Sequence, residues 1–127
     1  MIVQLDTNLL TELVIPISII GDSIDIWLSD GNQIAVSTIA WSEFCNGPLT
    51  KDARDTTVTS LNGGIVPFDQ PMAEKASQLF NATGRRRGSH ADCMIAATAI
   101  LSDAPLATLN LKDFSRFIPF GLRLHSF

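Results

Sequence analysis

Met1-Ile2-Val3-Gln4-Leu5-Asp6-Thr7-Asn8 is the stretch from which the fold is read. A short apolar run stops abruptly at polar residues, as a buried strand does when it delivers side chains at its carboxyl end. A helix from about Asn8 to Val14 follows, and Pro16 and Gly21 punctuate the chain before a second helix over Ser23 to Leu28. The first pattern then recurs: Gln33 to Val36 reads as another buried strand, and Ser37-Thr38 offers cap hydroxyls to a helix through Ile39, Trp41, Phe44 and Cys45. Lys51 to Leu61 is a weaker helix, Ile65-Val66 a strand, and Pro71 to Ala82 a helix with Met72, Ala76, Leu79 and Phe80 on one face. Ser89 to Leu101 is the strongest helix of the chain, with an interior almost wholly small or apolar. Pro105 to Thr108 reads as a strand, Lys112 to Phe117 as a helical turn, and Leu122 to Leu124 as an edge strand. Strands alternating with helices predict an α/β fold, a mostly parallel central sheet covered on both faces with the first strand in the middle.

Composition narrows the function classes. A chain of 127 residues matches one domain, residues 1–127, and a mean hydropathy of +0.23 supplies enough apolar surface for a core without disulfides. Cys45 and Cys93 are too far apart for a redox or zinc motif, and both are expected to be buried small hydrophobes. No apolar stretch approaches the ~18 residues of a membrane helix, so a cytoplasmic protein without membrane contact is expected. Thirteen acids against nine bases give a net charge of -4, which opposes passive nucleic-acid binding. A divalent cation in an acidic pocket reverses that local sign.

Ligand sites of open parallel sheets lie beyond the carboxyl ends of the strands. Asp6, Glu43, Asp92 and Asp113 all fall there. Carboxylates are the oxygen ligands that magnesium prefers, and with cations bound they suffice for phosphodiester hydrolysis without a His, Cys or Ser nucleophile. Each acid also has a structural reading. Asp6 suits a helix N-cap, Glu43 an exposed position of an amphipathic helix, and Asp113 a surface turn. Ser89-His90-Ala91-Asp92 matches a capping box. The many small residues behind Asp92 are more than a cap requires, and suit a helix lying tight against the sheet.

Four segments in series resemble those of PIN-domain ribonucleases, particularly the VapC-type toxins of toxin–antitoxin pairs. They are Leu5-Asp6-Thr7-Asn8, Trp41-Ser42-Glu43-Phe44, Asp92-Cys93-Met94-Ile95-Ala96-Ala97-Thr98-Ala99 and Ala107-Thr108-Leu109-Asn110-Leu111-Lys112-Asp113-Phe114. The resemblance spans essentially the whole chain and implies a three-layer α/β/α sandwich and a magnesium- or manganese-dependent endoribonuclease. Asp6, Glu43 and Asp92 would be the core metal ligands. The fourth position falls on Asn110 or Asp113; Asp113 is placed near the metal, with Thr7, Asn8 and Asn110 orienting ligands or waters. A cognate antitoxin is implied as partner, presenting a helix to an apolar groove and a basic side chain to the acids. Ile15, Ile17, Ile19, Ile20, Ile24 and Trp27 offer such an apolar region, or else belong to the core or a homodimer seam. Arg85-Arg86-Arg87 is either a solvated loop or a grip on RNA phosphates; His90, at a helix start, is read as structural. Two other functions compete: a catalytically silent PIN scaffold binding RNA or protein, and a housekeeping PIN nuclease without an antitoxin. Intact Asp6, Glu43 and Asp92 speak against the first. A phosphotransferase with a nucleophilic aspartate would want a second Asp where Asn8 stands.

Overall fold

The computed structural model describes all residues, Met1–Phe127. Its centre is β1 (Ile2–Leu5), where Val3 and Leu5 are wholly buried and Gln4 nearly so. Neighbouring strand residues point to opposite faces, so burial of three in succession means that both faces are covered. β2 (Gln33–Ser37), β3 (Gly64–Val66), β4 (Leu106–Ala107) and β5 (Leu124–His125) complete a sheet in the order β3-β2-β1-β4-β5, every pair parallel. The first strand is therefore central, as expected.

Register sets the level of the site. Leu5 stands opposite Val36 on one side and Ala107 on the other. The residues that follow, Asp6, Ser37 and Thr108, accordingly emerge side by side at one edge of the sheet.

The helices start where the polar residues permit. α1 (Thr7–Val14) is capped by Asp6, whose carboxylate accepts from the Thr7 N–H. α2 (Ile19–Ser29) begins earlier than its apolar spacing predicts, because Ser18 Oγ accepts from the Gly21 N–H at 2.9 Å and closes a cap there. α3 (Thr38–Cys45) is capped by Ser37 through the Ala40 N–H, as the sequence suggests. α4 (Lys51–Ser60) and α5 (Gln70–Ala82) follow, the latter capped by Asp69. α6 (His90–Leu101) buries Cys93, Ile95, Ala96, Ala97, Thr98 and Ala99, and packs on α5, α3 and β2. Small side chains allow that approach, and α6 carries Asp92 in its first turn.

Four local expectations are corrected. The capping box does not form: Ser89 makes no side-chain cap and instead donates to the Arg86 carbonyl at 2.7 Å, which leaves Asp92 free of a capping role. Cys45 is exposed, since it ends α3 on the face turned from the core, whereas Cys93 is buried. The helical turn after Asn110 divides into α7 (Leu111–Phe114) and a 3-10 helix (Ser115–Phe120) that ends at Gly121 with φ of 108°. The last strand starts at Leu124, where pairing with Leu106 begins, because Leu122 enters the core.

The apolar amino-terminal region splits. Ile24 is fully buried, and Ile20 and Trp27 pack on the core, but Ile15, Ile17 and Ile19 remain exposed. Trp27 meets His125 at a tilt and Phe127 edge-on, joining α2 to the residues at the end of the sheet. No helix is long and apolar enough to cross a membrane.

Candidate active site

Asp6 lies at the carboxyl end of β1 and is only 6% exposed. Two partners hold its carboxylate: the Thr7 N–H on Oδ1 and the Thr108 hydroxyl on Oδ2, each at 2.8 Å. Burial still raises its proton affinity above the usual aspartate value, with Glu43 adding repulsion, while the two hydrogen bonds pull the other way. Glu43 projects from α3 into solvent and accepts from Thr7 Oγ1 at 2.7 Å. Thr7 thus reaches both Asp6, through its backbone, and Glu43, through its side chain.

Asp92, half-buried in the first turn of α6, has its carboxyl pushed up to about 6. Burial is the largest cause, then the charge of Asp6; Asp113 and Glu43 raise it further, and Arg116 opposes them. The other three acids are therefore close enough to be felt at Asp92, although the sequence scatters them over more than a hundred positions. Asp113, on α7, is lowered instead, because Asn110 Nδ2 donates to it at 2.8 Å and Arg86 at 3.3 Å.

The three residues expected to orient the acids do so in different ways. Thr7 fastens Glu43 and Asn110 fastens Asp113, while Asn8 Oδ1 accepts from the Leu109 N–H at 3.2 Å and ties α1 to the loop after β4. Of the basic loop, Arg86 reaches the site through Asp113; Arg85 lies over the Phe80 ring at 5.9 Å, and Arg87 is exposed. His90 is exposed too, edge-on to Phe80 at 6.1 Å.

Two functional positions escaped sequence reasoning. Thr108 joins Asp6 to the Asn110 N–H through one hydroxyl; its place at the end of a buried strand was a usable signal. Arg116 comes within 3.9 Å of Asp92 from the 3-10 helix, and nothing in its local sequence marks it. Two cavities open nearby, one beside Thr108 and one beside Glu43. One of about 210 Å³ is lined by Leu9, Ile20, Thr108, Leu109, His125 and Phe127. The other, about 240 Å³, is lined by Thr7, Thr11, Glu43, Phe44, Pro48 and Leu49.

The donor chemistry fits a hard divalent cation. All four acids offer oxygens, and their mutual repulsion is the condition that such a charge relieves. They do not close into a ready-made cage, because no three of the chain's His, Cys, Asp and Glu side chains are grouped closely enough to hold an ion. Asp6, Glu43 and Asp113 are instead hydrogen-bonded to Thr108, Thr7, Asn110 and Arg86, whereas Asp92 has only Arg116 at 3.9 Å beside it.

Against this geometry, the family model described as the PIN domain matches residues 3–117 of the chain. The chain belongs to the PIN domain family. Ribonuclease VapC10 of Mycobacterium tuberculosis is 29% identical to it over 99 residues, 72% of each chain. Among solved structures, VapBC2 from Rickettsia felis bound to a DNA fragment from its promoter superposes with a TM-score of 0.78 at 23% identity, over 100% of this chain and 99% of that one. A toxin-antitoxin complex from Klebsiella pneumoniae gives 0.69 at 28% identity, over 89% and 90%.

Proposed function

We propose that this PIN domain, spanning residues 1–127, is a metal-dependent endoribonuclease and the toxin of a toxin–antitoxin pair. The observation that carries the reading is the convergence on Asp92, whose carboxyl is raised by the charges of Asp6, Asp113 and Glu43, with Thr7 bridging Asp6 to Glu43 through its N–H and hydroxyl. Four distant acids brought together at a cost in repulsion serve no packing purpose, and such a cluster is a functional-site signature. The ribonuclease name of the mycobacterial relative supports RNA as substrate, and the toxin–antitoxin titles of the structural neighbours support a protein partner.

Asp6, Glu43, Asp92 and Asp113 would hold magnesium or manganese. A bound cation supplies positive charge to the phosphate oxygens and lowers the proton affinity of attacking water. The chain's residues do the positioning. Thr108 and the Thr7 backbone keep the Asp6 carboxylate turned toward the cleft, and the Thr7 hydroxyl keeps Glu43 beside it. Asn110 holds Asp113 from below, and Arg86 places a positive charge at the rim, where an incoming RNA strand meets it. The cavity beside Glu43 and Thr7 leaves room for a nucleotide adjoining the scissile bond.

The antitoxin is proposed to cover the exposed Ile15, Ile17 and Ile19, and to approach the acids with a basic side chain. The activity is tested with end-labelled single-stranded RNA, comparing magnesium, manganese and EDTA. Internal cleavage with either metal and none in EDTA is expected. Cleavage indifferent to EDTA, or none under any condition, overturns the assignment.

A further inference from the structure

Arg116 lies beside Asp92 and largely buried, whereas Arg86 stands at the rim of the site on Asp113. Its side chain is 19% exposed, against 59% for Arg86. Its Nε is buried and has no hydrogen-bond partner. One of its terminal nitrogens stops 3.9 Å from Asp92 Oδ2, beyond hydrogen-bond reach. The guanidinium lies 4.7 Å over the Phe117 ring, and Phe117 packs edge-on against Phe114 in the fully buried core. The 3-10 helix is therefore pinned, and the guanidinium is held in place with donors unused.

Buried donors are rarely left unpaired, and one that is calls for a physical reason. A distant ion pair with Asp92 gives none, because the carboxylate accepts no hydrogen bond from it. A guanidinium presents five N–H donors in a planar fork that matches the oxygens of a phosphate. The cleft needs such a group, since its acids repel an RNA backbone. Arg86 meets the strand only at the rim, where it is 59% exposed and hydrogen-bonded to Asp113.

We propose that Arg116 is a phosphate-binding residue: its guanidinium fork takes the non-bridging oxygens of an RNA phosphodiester entering the cleft beside Asp92. The proposal rests on the nuclease reading and adds to it the residue that grips the substrate at the acids.

Binding of a fluorescein-labelled single-stranded RNA is measured by polarisation, in calcium buffer with intactness of the RNA checked on gels, across a salt series. Arg116→Met keeps the aliphatic stem over Phe117 and removes the fork. It is expected to weaken binding tenfold or more and to flatten the dependence of log affinity on log salt by about 0.7, the loss of one phosphate contact on a single strand. Arg116→Lys keeps the charge but not the fork; the wild-type salt slope and at least a tenfold lower kcat/KM in magnesium are expected. Circular dichroism establishes which variants are folded, and if the Met variant is not, the Lys variant decides alone. A folded Met variant with wild-type affinity and slope, or a Lys variant with wild-type kcat/KM, overturns the proposal. If the wild-type chain cuts RNA while the variants behave as it does, only the role of Arg116 fails. A wild-type chain that neither binds nor cuts RNA ends the nuclease reading and this one together.

Discussion

Thr108 Oγ1 donates a 2.8 Å hydrogen bond to Asp6 Oδ2, joining residues 102 positions apart at the carboxyl ends of two adjacent parallel strands. The same hydroxyl accepts from the Asn110 N–H, so one side chain ties the most buried acid to the segment carrying Asp113. Geometry and charge are coupled there, because the bond offsets part of what burial does to Asp6.

Thr108→Val keeps the shape and removes the donor. Asp6 then binds its proton more tightly, and the variant loses on the order of 1–3 kcal/mol at neutral pH, where the carboxylate is ionised and short of a partner. The bond favours the ionised form, so the loss shrinks as pH falls and Asp6 protonates. Urea unfolding across a pH series from 7.5 downward measures both. A loss that stays constant over the whole series shows that the hydroxyl does no electrostatic work.

Asp92 supplies the opposite sign. Its carboxyl is raised from an ordinary 3.8 to about 6, so the folded chain binds more protons than the unfolded one between those values. Stability therefore rises as pH falls through about 6, and above it the ionised group costs the metal-free protein stability. Asp92→Asn is expected to abolish cleavage while making the metal-free fold more stable at pH 7.5, on the order of 1–2 kcal/mol from the size of the shift discounted for partial exposure. The advantage declines as pH falls through about 6. A variant that retains cleavage, or is less stable than wild type at pH 7.5, contradicts the role assigned to Asp92.

The two acids differ in how plainly the sequence announces them. Asp6 closes the short, largely apolar run Ile2 to Leu5, so its place at the carboxyl end of a strand could be read from where that run stops. Asp92 stands before Cys93, Ile95, Ala96, Ala97 and Ala99, whose small volumes foretell the close approach of α6. Glu43 and Asp113 were legible through their order in the series rather than their surroundings. Arg116 was not legible at all, because its relation to Asp92 depends on a 3-10 helix turning back over Phe114 and Phe117, and its sequence neighbours carry no periodic signal. The failed capping box has the same origin: Ser89 satisfies the carbonyl of Arg86 across a tight loop whose shape four letters do not encode.

Divalent cations are expected to stabilise the fold by relieving the repulsion that raises Asp92. At a concentration ten times the dissociation constant, the linkage is about 1.4 kcal/mol, or a few degrees in melting temperature. Manganese or magnesium should raise the melting temperature of the wild-type chain, EDTA should reverse the effect, and Asp92→Asn should reduce it. Because a cation binds ionised carboxylates, the shift should grow as pH rises through about 6, where Asp92 loses its proton. A melting temperature insensitive to both metals at pH 8 counts against cation binding here.

The last expectation concerns the exposed isoleucines. Ile17 and Ile19 are 91% and 85% exposed, the one just before α2 and the other its first residue, and Ile26 is 64% exposed on the same helix while Ile24 is wholly buried, so α2 carries apolar side chains outside the face the core covers. An Ile17→Glu, Ile19→Glu double variant removes that surface without touching the core, and Glu at the first turn of α2 suits the helix dipole. Its folding stability should stay within about 0.5 kcal/mol of wild type. Co-expressed with the product of the short open reading frame beside its gene, the wild-type chain should co-purify with that product and be harmless to the cell. The double variant should lose the association and become toxic despite the partner. Unchanged co-purification removes these isoleucines from the antitoxin surface. If the isolated wild-type chain instead runs as a dimer on gel filtration and the variant as a monomer, that surface is a seam between copies of this chain, and the antitoxin must dock elsewhere.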